Sequence, residues 1–149
     1  MRVLVPVCTV ILLGMFWCGC DSYVNSRIES AAESGDGEAQ AVLGTMYALG
    51  KGVEKSEVEA FRWYQRSAAQ GNANGQLFLG ASYRLGEGVE PDAIESYVWF
   101  SLAASDMDAA ALMRDRIEKD LSEAELAEAQ RRLSEFKPKA WEEVKALYP

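Results

Sequence analysis

The sequence predicts an all-α chain, a solenoid of stacked helical hairpins closed by a C-terminal helical cap, and three observations carry that reading. One pattern is written twice, thirty-six positions apart: Leu43, Gly44, Tyr47, Gly50, Gly52, Val53, Glu54, Trp63 and Ala68 recur as Leu79, Gly80, Tyr83, Gly86, Gly88, Val89, Glu90, Trp99 and Ala104. Glycines and capping residues punctuate the chain at helix-length intervals, and from Asp21 onward the stretches between them have helical spacing. A single hairpin cannot bury its own apolar face, so a repeat this short implies neighbours stacked on one another.

Taken in order, residues 1–19 form a signal segment and residues 20–38 a lead-in. Within the lead-in, Tyr23 to Glu33 is amphipathic and ends in Ser34-Gly35-Asp36-Gly37; Ala32 and Gly35 align with Ala68 and Gly71, which makes it the second helix of a truncated repeat. The first full repeat occupies 39–74. Its A helix runs from Ala39 to Leu49 and stops at Gly50-Lys51-Gly52, where glycine supplies the positive φ of a helix C-terminus. Ser56 and Glu59 have capping-box spacing and open a B helix that reaches Gln70. The second repeat occupies 75–108, with Asn74 placed to cap an A helix from Gly75 to Leu85 and Asp92 with Glu95 opening a B helix through Ser105. Met107 stands where the first copy has Gly71, so the array stops there. In the cap, 109–149, Asp106 or Asp108 starts a helix to about Leu121 and Ser122 with Glu125 another to Phe136. Pro138 then separates a last short helix carrying Trp141, Val144 and Leu147. Gly44 and Gly80 sit in mid-helix, where glycine costs about 1 kcal/mol relative to alanine, so a neighbouring helix is expected to approach closely there. Trp63 and Trp99 are expected in the core, along with most of the other repeated aromatics.

Arg2 followed by an unbroken apolar run from Val3 to Trp17 has the form of an export signal, and the run is shorter than the roughly 20 residues of a spanning helix. Cys20, with Gly19 before it, resembles the acceptor cysteine of a bacterial lipoprotein signal. That resemblance implies lipidation at Cys20 and a domain held at a membrane by acyl chains alone, facing the periplasm. Asp21 resembles the residue that retains such lipoproteins at the inner membrane of some Gram-negative bacteria. A plain secretory signal and an uncleaved anchor are the other readings of the run. All three cysteines lie at or before Cys20, so the mature body is expected to hold neither a disulfide framework nor a cysteine zinc site. The formal charge is −8, and −9 once Arg2 leaves with the signal. So acidic a chain is not expected to bind nucleic acid or to dock on anionic lipid through a basic face.

The run Ala39-x-x-x-Leu43-Gly44-x-x-Tyr47-x-x-Gly50-x-Gly52-Val53, followed by Ala60-x-x-Trp63-Tyr64-x-x-Ser67-Ala68-Ala69-x-Gly71, resembles the Sel1-like repeat (SLR), a relative of the tetratricopeptide repeat (TPR). The second copy matches from Leu79 through Ala104, with Ser96 at the alanine place and Phe100 at the tyrosine place. The resemblance implies a right-handed, TPR-like α/α superhelix acting as an adaptor whose A helices line a concave face. Some secreted relatives bind β-lactams or peptidoglycan-related ligands and carry paired cysteines in each repeat, which this chain lacks after Cys20.

Chemistry is sparse. There is no histidine, which removes a Ser-His-Asp triad, a Cys-His pair and a histidine zinc site. Gly50-Lys51-Gly52 and Gly86-Glu87-Gly88 lack the spacing of a phosphate loop, and Glu87, Glu90 and Asp92 read as a solvated turn with a helix cap rather than a calcium site. No catalytic, metal-ligating or cofactor-binding residue is expected. Partner contacts are expected on the concave face, at A-helix positions outside the recurring set: Gln40, Thr45 and Met46 in the first copy, and Gln76, Ser82 and Arg84 in the second. The mixed charges from Arg114 to Lys145 read as a solvated cap, whereas Trp141, Leu147 and Tyr148 must either fold back on it or meet another protein. The favoured function is a non-enzymatic scaffold in the bacterial envelope that binds a protein or peptide. The alternative is a cell-wall or β-lactam binding protein or hydrolase, and self-association through the ends of a short array is a third possibility.

Overall fold

The structure is a computed structural model that describes residues 23–148. The signal segment 1–19, Cys20 and Asp21 lie outside the described residues. Those described are helical with no strand, in the order α1 (23–33), α2 (Gly37–Leu49), α3 (Glu57–Ala69), α4 (Ala73–Leu85), α5 (Ala93–Ala103), α6 (Asp108–Glu118), α7 (Glu123–Glu135) and α8 (Trp141–Leu147). Helices α2 and α3 form one hairpin, α4 and α5 the next; α3 packs on α4 between them, and α2 lies beside α4 to make a layer of A helices.

Local capping explains the boundaries. Asp36 accepts from the backbone N–H groups of Glu38 and Ala39, and Asn72 from that of Gly75, so α2 and α4 each begin two residues earlier than the sequence reading placed them. Asn74 is therefore inside α4 and does not cap it. Both A helices end on a left-handed glycine, Gly50 at φ 67° and Gly86 at φ 75°. Ser56 and Asp92 accept from the N–H groups of Glu59 and Glu95, but neither glutamate reaches back. Glu59 pairs with Arg62 instead, and Glu95 receives the Trp99 indole N–H at 3.0 Å. A reciprocal capping box is present at Ser122 and Glu125. The residue before α6 is Met107, with no side-chain cap, and Asp108 is already helical, so neither Asp106 nor Asp108 performs the expected role.

The mid-helix glycines are explained by the aromatic residue after each tryptophan. A Cβ on Gly44 would lie 2.6 Å from Tyr64 Cε1 and 3.1 Å from the Ala60 carbonyl oxygen; one on Gly80 would lie 3.2 Å from the Phe100 ring. Tyr64 and Phe100 are buried, while Trp63 and Trp99 are only half-buried, which corrects the expectation for the tryptophan pair. Each tryptophan lies at a seam with the preceding unit: Trp63 against the Ala32, Leu43 and Met46 cluster, and Trp99 against that of Phe61, Tyr64 and Leu79. The Phe61 and Tyr83 rings meet edge to face, 5.4 Å apart, across the same α3–α4 seam.

Helices α6 and α7 both lie against α5, so they end the stack rather than adding a third hairpin. Arg132 fastens α7 to α5 by pairing with Glu95, while its Nε donates to Glu128 at 2.7 Å. The chain then doubles back. Phe136 meets Trp99 edge to face at 5.5 Å, the Lys139 N–H donates to the Ala69 carbonyl at 2.8 Å, and Arg66 Nε donates to the Tyr148 carbonyl at 3.0 Å. Val144 is fully buried, and the Trp141 ring packs on the backbone at Gly35. The apolar terminus therefore folds back on the first hairpin and on the end of α1, not on α6 and α7.

Candidate functional site

The A-helix layer carries a groove between α2 and α4. It has a volume of about 400 Å³, with Ala41, Val42, Thr45, Met46 and Leu49 of α2 on one side and Phe78 of α4 on the other. Val42 is 37% exposed and Leu49 57%, so apolar surface faces solvent along the groove. The spacing of 42, 45, 46 and 49 is the i, i+3, i+4, i+7 pattern of one helix face, beside the stripe of Leu43 and Tyr47 that packs inward. Tyr64 holds the floor: its hydroxyl donates to Thr45 Oγ1 at 3.4 Å, and Thr45 Oγ1 donates to the Ala41 carbonyl at 3.0 Å. Burial pushes the Tyr64 phenol above its ordinary value, so it stays protonated at neutral pH.

The two ends of the groove are polar. At one, Glu38 accepts from Asn72 Nδ2 at 2.9 Å and from Asn74 Nδ2 at 3.1 and 3.2 Å on its two oxygens, which fixes the carboxylate against the start of α4. At the other stands Lys51, an exposed residue of the turn after α2. Among the described residues neither Glu38 nor Lys51 has an ion-pair partner.

The residues singled out from the sequence divide. Thr45 and Met46 line the groove together, Met46 mostly buried beneath it. Gln40, Gln76 and Ser82 are buried and offer nothing to a partner: Gln40 Nε2 donates to the Ala32 carbonyl at 2.9 Å, its Oε1 accepts from Gln70 Nε2 at 2.8 Å, and Ser82 Oγ donates to the Phe78 carbonyl at 3.0 Å. Gln40 and Gln76 are themselves thirty-six residues apart, and that recurrence was the available sign of a structural role. Arg84 is exposed beside a separate cleft of about 360 Å³ that Tyr83, Asp92 and Ile117 also line, with Nη1 3.1 Å from Met113 Sδ. Sequence reasoning missed Glu38, Val42, Leu49, Lys51, Asn74 and Phe78. For Val42 and Leu49 the signal was the second apolar stripe on α2; for Glu38 and Asn74, thirty-six residues apart in sequence, there was none.

Among the described residues no group of three or more cysteine, aspartate or glutamate side chains is placed to hold a metal ion, and no helix is long and apolar enough to cross a membrane. Comparison with known proteins finds matching repeats. The model of the Sel1 repeat matches residues 37–72 and 73–106, beginning where the Asp36 and Asn72 caps leave off. A crystal structure of a protective antigen present in uropathogenic Escherichia coli strains, displaying an SLR fold, superposes with a TM-score of 0.70 at 32% identity, over 87% of this chain and 30% of that one. A Sel1 repeat protein from Oxalobacter formigenes superposes with a TM-score of 0.57 at 24% identity, over 78% of this chain and 56% of the other, and supports the fold alone. This chain thus spans under a third of the length of the first and little more than half of the second. No curated protein matches the sequence. Residues 37–106 match two Sel1 repeats in tandem and fold as the SLR solenoid does, which supports a place for this chain in the Sel1-like repeat family.

Proposed function

We propose that this protein is a non-enzymatic interaction module that binds a peptide or protein segment in the groove between α2 and α4, held at the bacterial envelope through a lipid on Cys20. Sel1-repeat proteins are in general protein-interaction scaffolds. The observation that carries the reading is the exposed apolar lining, Val42 and Leu49 facing Phe78, on the layer of A helices. Anchoring rests on the apolar run from Val3 to Trp17 and on Gly19-Cys20 after it.

Crosslinking in living cells, with the wild type compared with Val42→Glu and Leu49→Glu, tests the binding site. One defined partner lost from both variants is expected; capture unchanged by either substitution refutes the groove. Metabolic labelling with a fatty-acid analogue tests the anchor separately. Label is expected on the wild type and not on Cys20→Ala, and label that persists on the variant refutes lipidation. Turnover of a chromogenic β-lactam by purified protein would favour the cell-wall reading instead.

A further inference from the structure

Resting on that reading of the groove, we infer that its occupant is an extended peptide segment with a basic residue at the Glu38 end, an acidic group at the Lys51 end, and apolar side chains between them. Two features of the groove argue for this chemistry. Its ends carry opposite charges, and each lacks a partner of its own among the described residues. The Glu38 carboxylate is also already in position. Neutral amides from Asn72 and Asn74 hold both of its oxygens, so a cation approaching it finds a fixed acceptor whose charge is not offset. Fixing a group before its ligand arrives lowers the ordering cost of binding.

The dimensions set the spacing. From Glu38 to Leu49 the helix rises about 17 Å at 1.5 Å per residue. An extended chain covers that length in about five residues at roughly 3.3 Å each. Reaching past Leu49 to Lys51 with both charged side chains on the groove side puts the basic and acidic residues of the occupant about six positions apart. Side chains of one strand alternate in direction, so every second residue between them can face Val42, Leu49 and Phe78. The net acidity of the protein favours approach of the basic end.

Calorimetric titration with end-capped synthetic peptides tests the inference. The probes are Lys-Ala-Leu-Ala-Leu-Ala-Glu and the same peptide with Glu in place of Lys. The wild type is expected to bind the first about fivefold more tightly, the scale on which one exposed pair turns from attraction to repulsion. The preference should shrink in about 1 M salt, where charges are screened within about 3 Å. Glu38→Gln keeps an acceptor for the two asparagines and should bind both peptides alike, and Glu38→Lys should prefer the second. Equal binding of both peptides by the wild type overturns the charge assignment and leaves the groove standing. Binding that is equally strong in Val42→Glu, or no binding of either peptide to the wild type, overturns the groove reading itself.

Discussion

Replacing Gly44 by alanine tests how the hairpins are held together, because two opposing effects can be weighed from the structure. In an ordinary helix interior the change would stabilise by about 1 kcal/mol. Here the new methyl would lie 2.6 and 2.7 Å from two Tyr64 ring carbons and 3.1 Å from the Ala60 carbonyl oxygen. The ring cannot swing freely away, since it is buried and packs on Phe78 with centroids 5.1 Å apart, and the carbonyl belongs to the backbone of α3. Overpacking of this kind costs about 1–3 kcal/mol, and a double contact belongs at the upper end. The net expectation is a loss of about 2 kcal/mol. Gly80→Ala is the internal control: its nearest neighbours are Phe100 ring atoms at 3.2 to 3.3 Å, which need yield only a few tenths of an ångström. Its overpacking cost of about 1 kcal/mol should offset the helix gain, leaving stability near that of the wild type. Urea denaturation followed by both circular dichroism and tryptophan fluorescence measures the difference, with the two probes required to coincide because repeat arrays can unfold in parts. Gly44→Ala should cost less in a Tyr64→Leu background, where the ring is gone. A Gly44→Ala protein as stable as Gly80→Ala would refute the account of why glycine stands in these helices.

Other substitutions address the remaining contacts. Val144→Ala should lower stability by about 2 kcal/mol in the same denaturation assay, because the side chain is fully buried where α8 docks. Gln40→Ala should cost about 1–3 kcal/mol, since it strips the Ala32 carbonyl and the Gln70 amide of their buried partner. Burial, with Glu95 nearby, raises the Tyr83 phenol from 10.0 to about 12. Folding therefore favours the neutral phenol, and the stability this contributes is complete below pH 10 and lost as pH rises to about 12. Alkaline denaturation of Tyr83→Phe should be shallower through that window, without being abolished, because Tyr64 and Tyr148 are raised as well. Conversely, the two arginines bonded to Glu128 lower its carboxyl from 4.5 to about 2. Its contribution is present above pH 4.5 and lost as pH falls to about 2, so Glu128→Gln should flatten the acid limb of a stability profile.

What could be read in the sequence was what the chain decides locally. Gly50, Gly86, Ser56, Asp92 and Ser122 mark helix ends through their own backbone or side-chain chemistry, and the structure uses each of them at a helix end. The A-helix face was harder, because a position outside the recurring set need not face solvent. Gln40 is polar and wholly buried, its amide closing hydrogen bonds to α1 and to the end of α3, and its recurrence as Gln76 is the one trace of that role in the sequence. The tryptophans misled for a related reason. A large ring at a repeated place suggested the centre of each hairpin, yet the centre admits only a ring facing glycine, and Tyr64 and Phe100 occupy it. Trp63 and Trp99 lie farther out, at seams between units. The groove went largely unseen because its two sides come from helices thirty-six residues apart, and only the α2 side carried a pattern of its own.

The returning segment works as a length gauge. Phe136 is set against the second hairpin and α8 against the first, with only residues 137–140 to span the step between them. An array one hairpin longer would put the Ala69 carbonyl and the Gly35 backbone out of reach of Lys139 and Trp141, and an array one hairpin shorter would take away α5, on which α6 and α7 rest. Most solenoids can gain or lose units because each touches only its neighbours. This one is tied end to end, so a duplication that another array would absorb would here unseat α8.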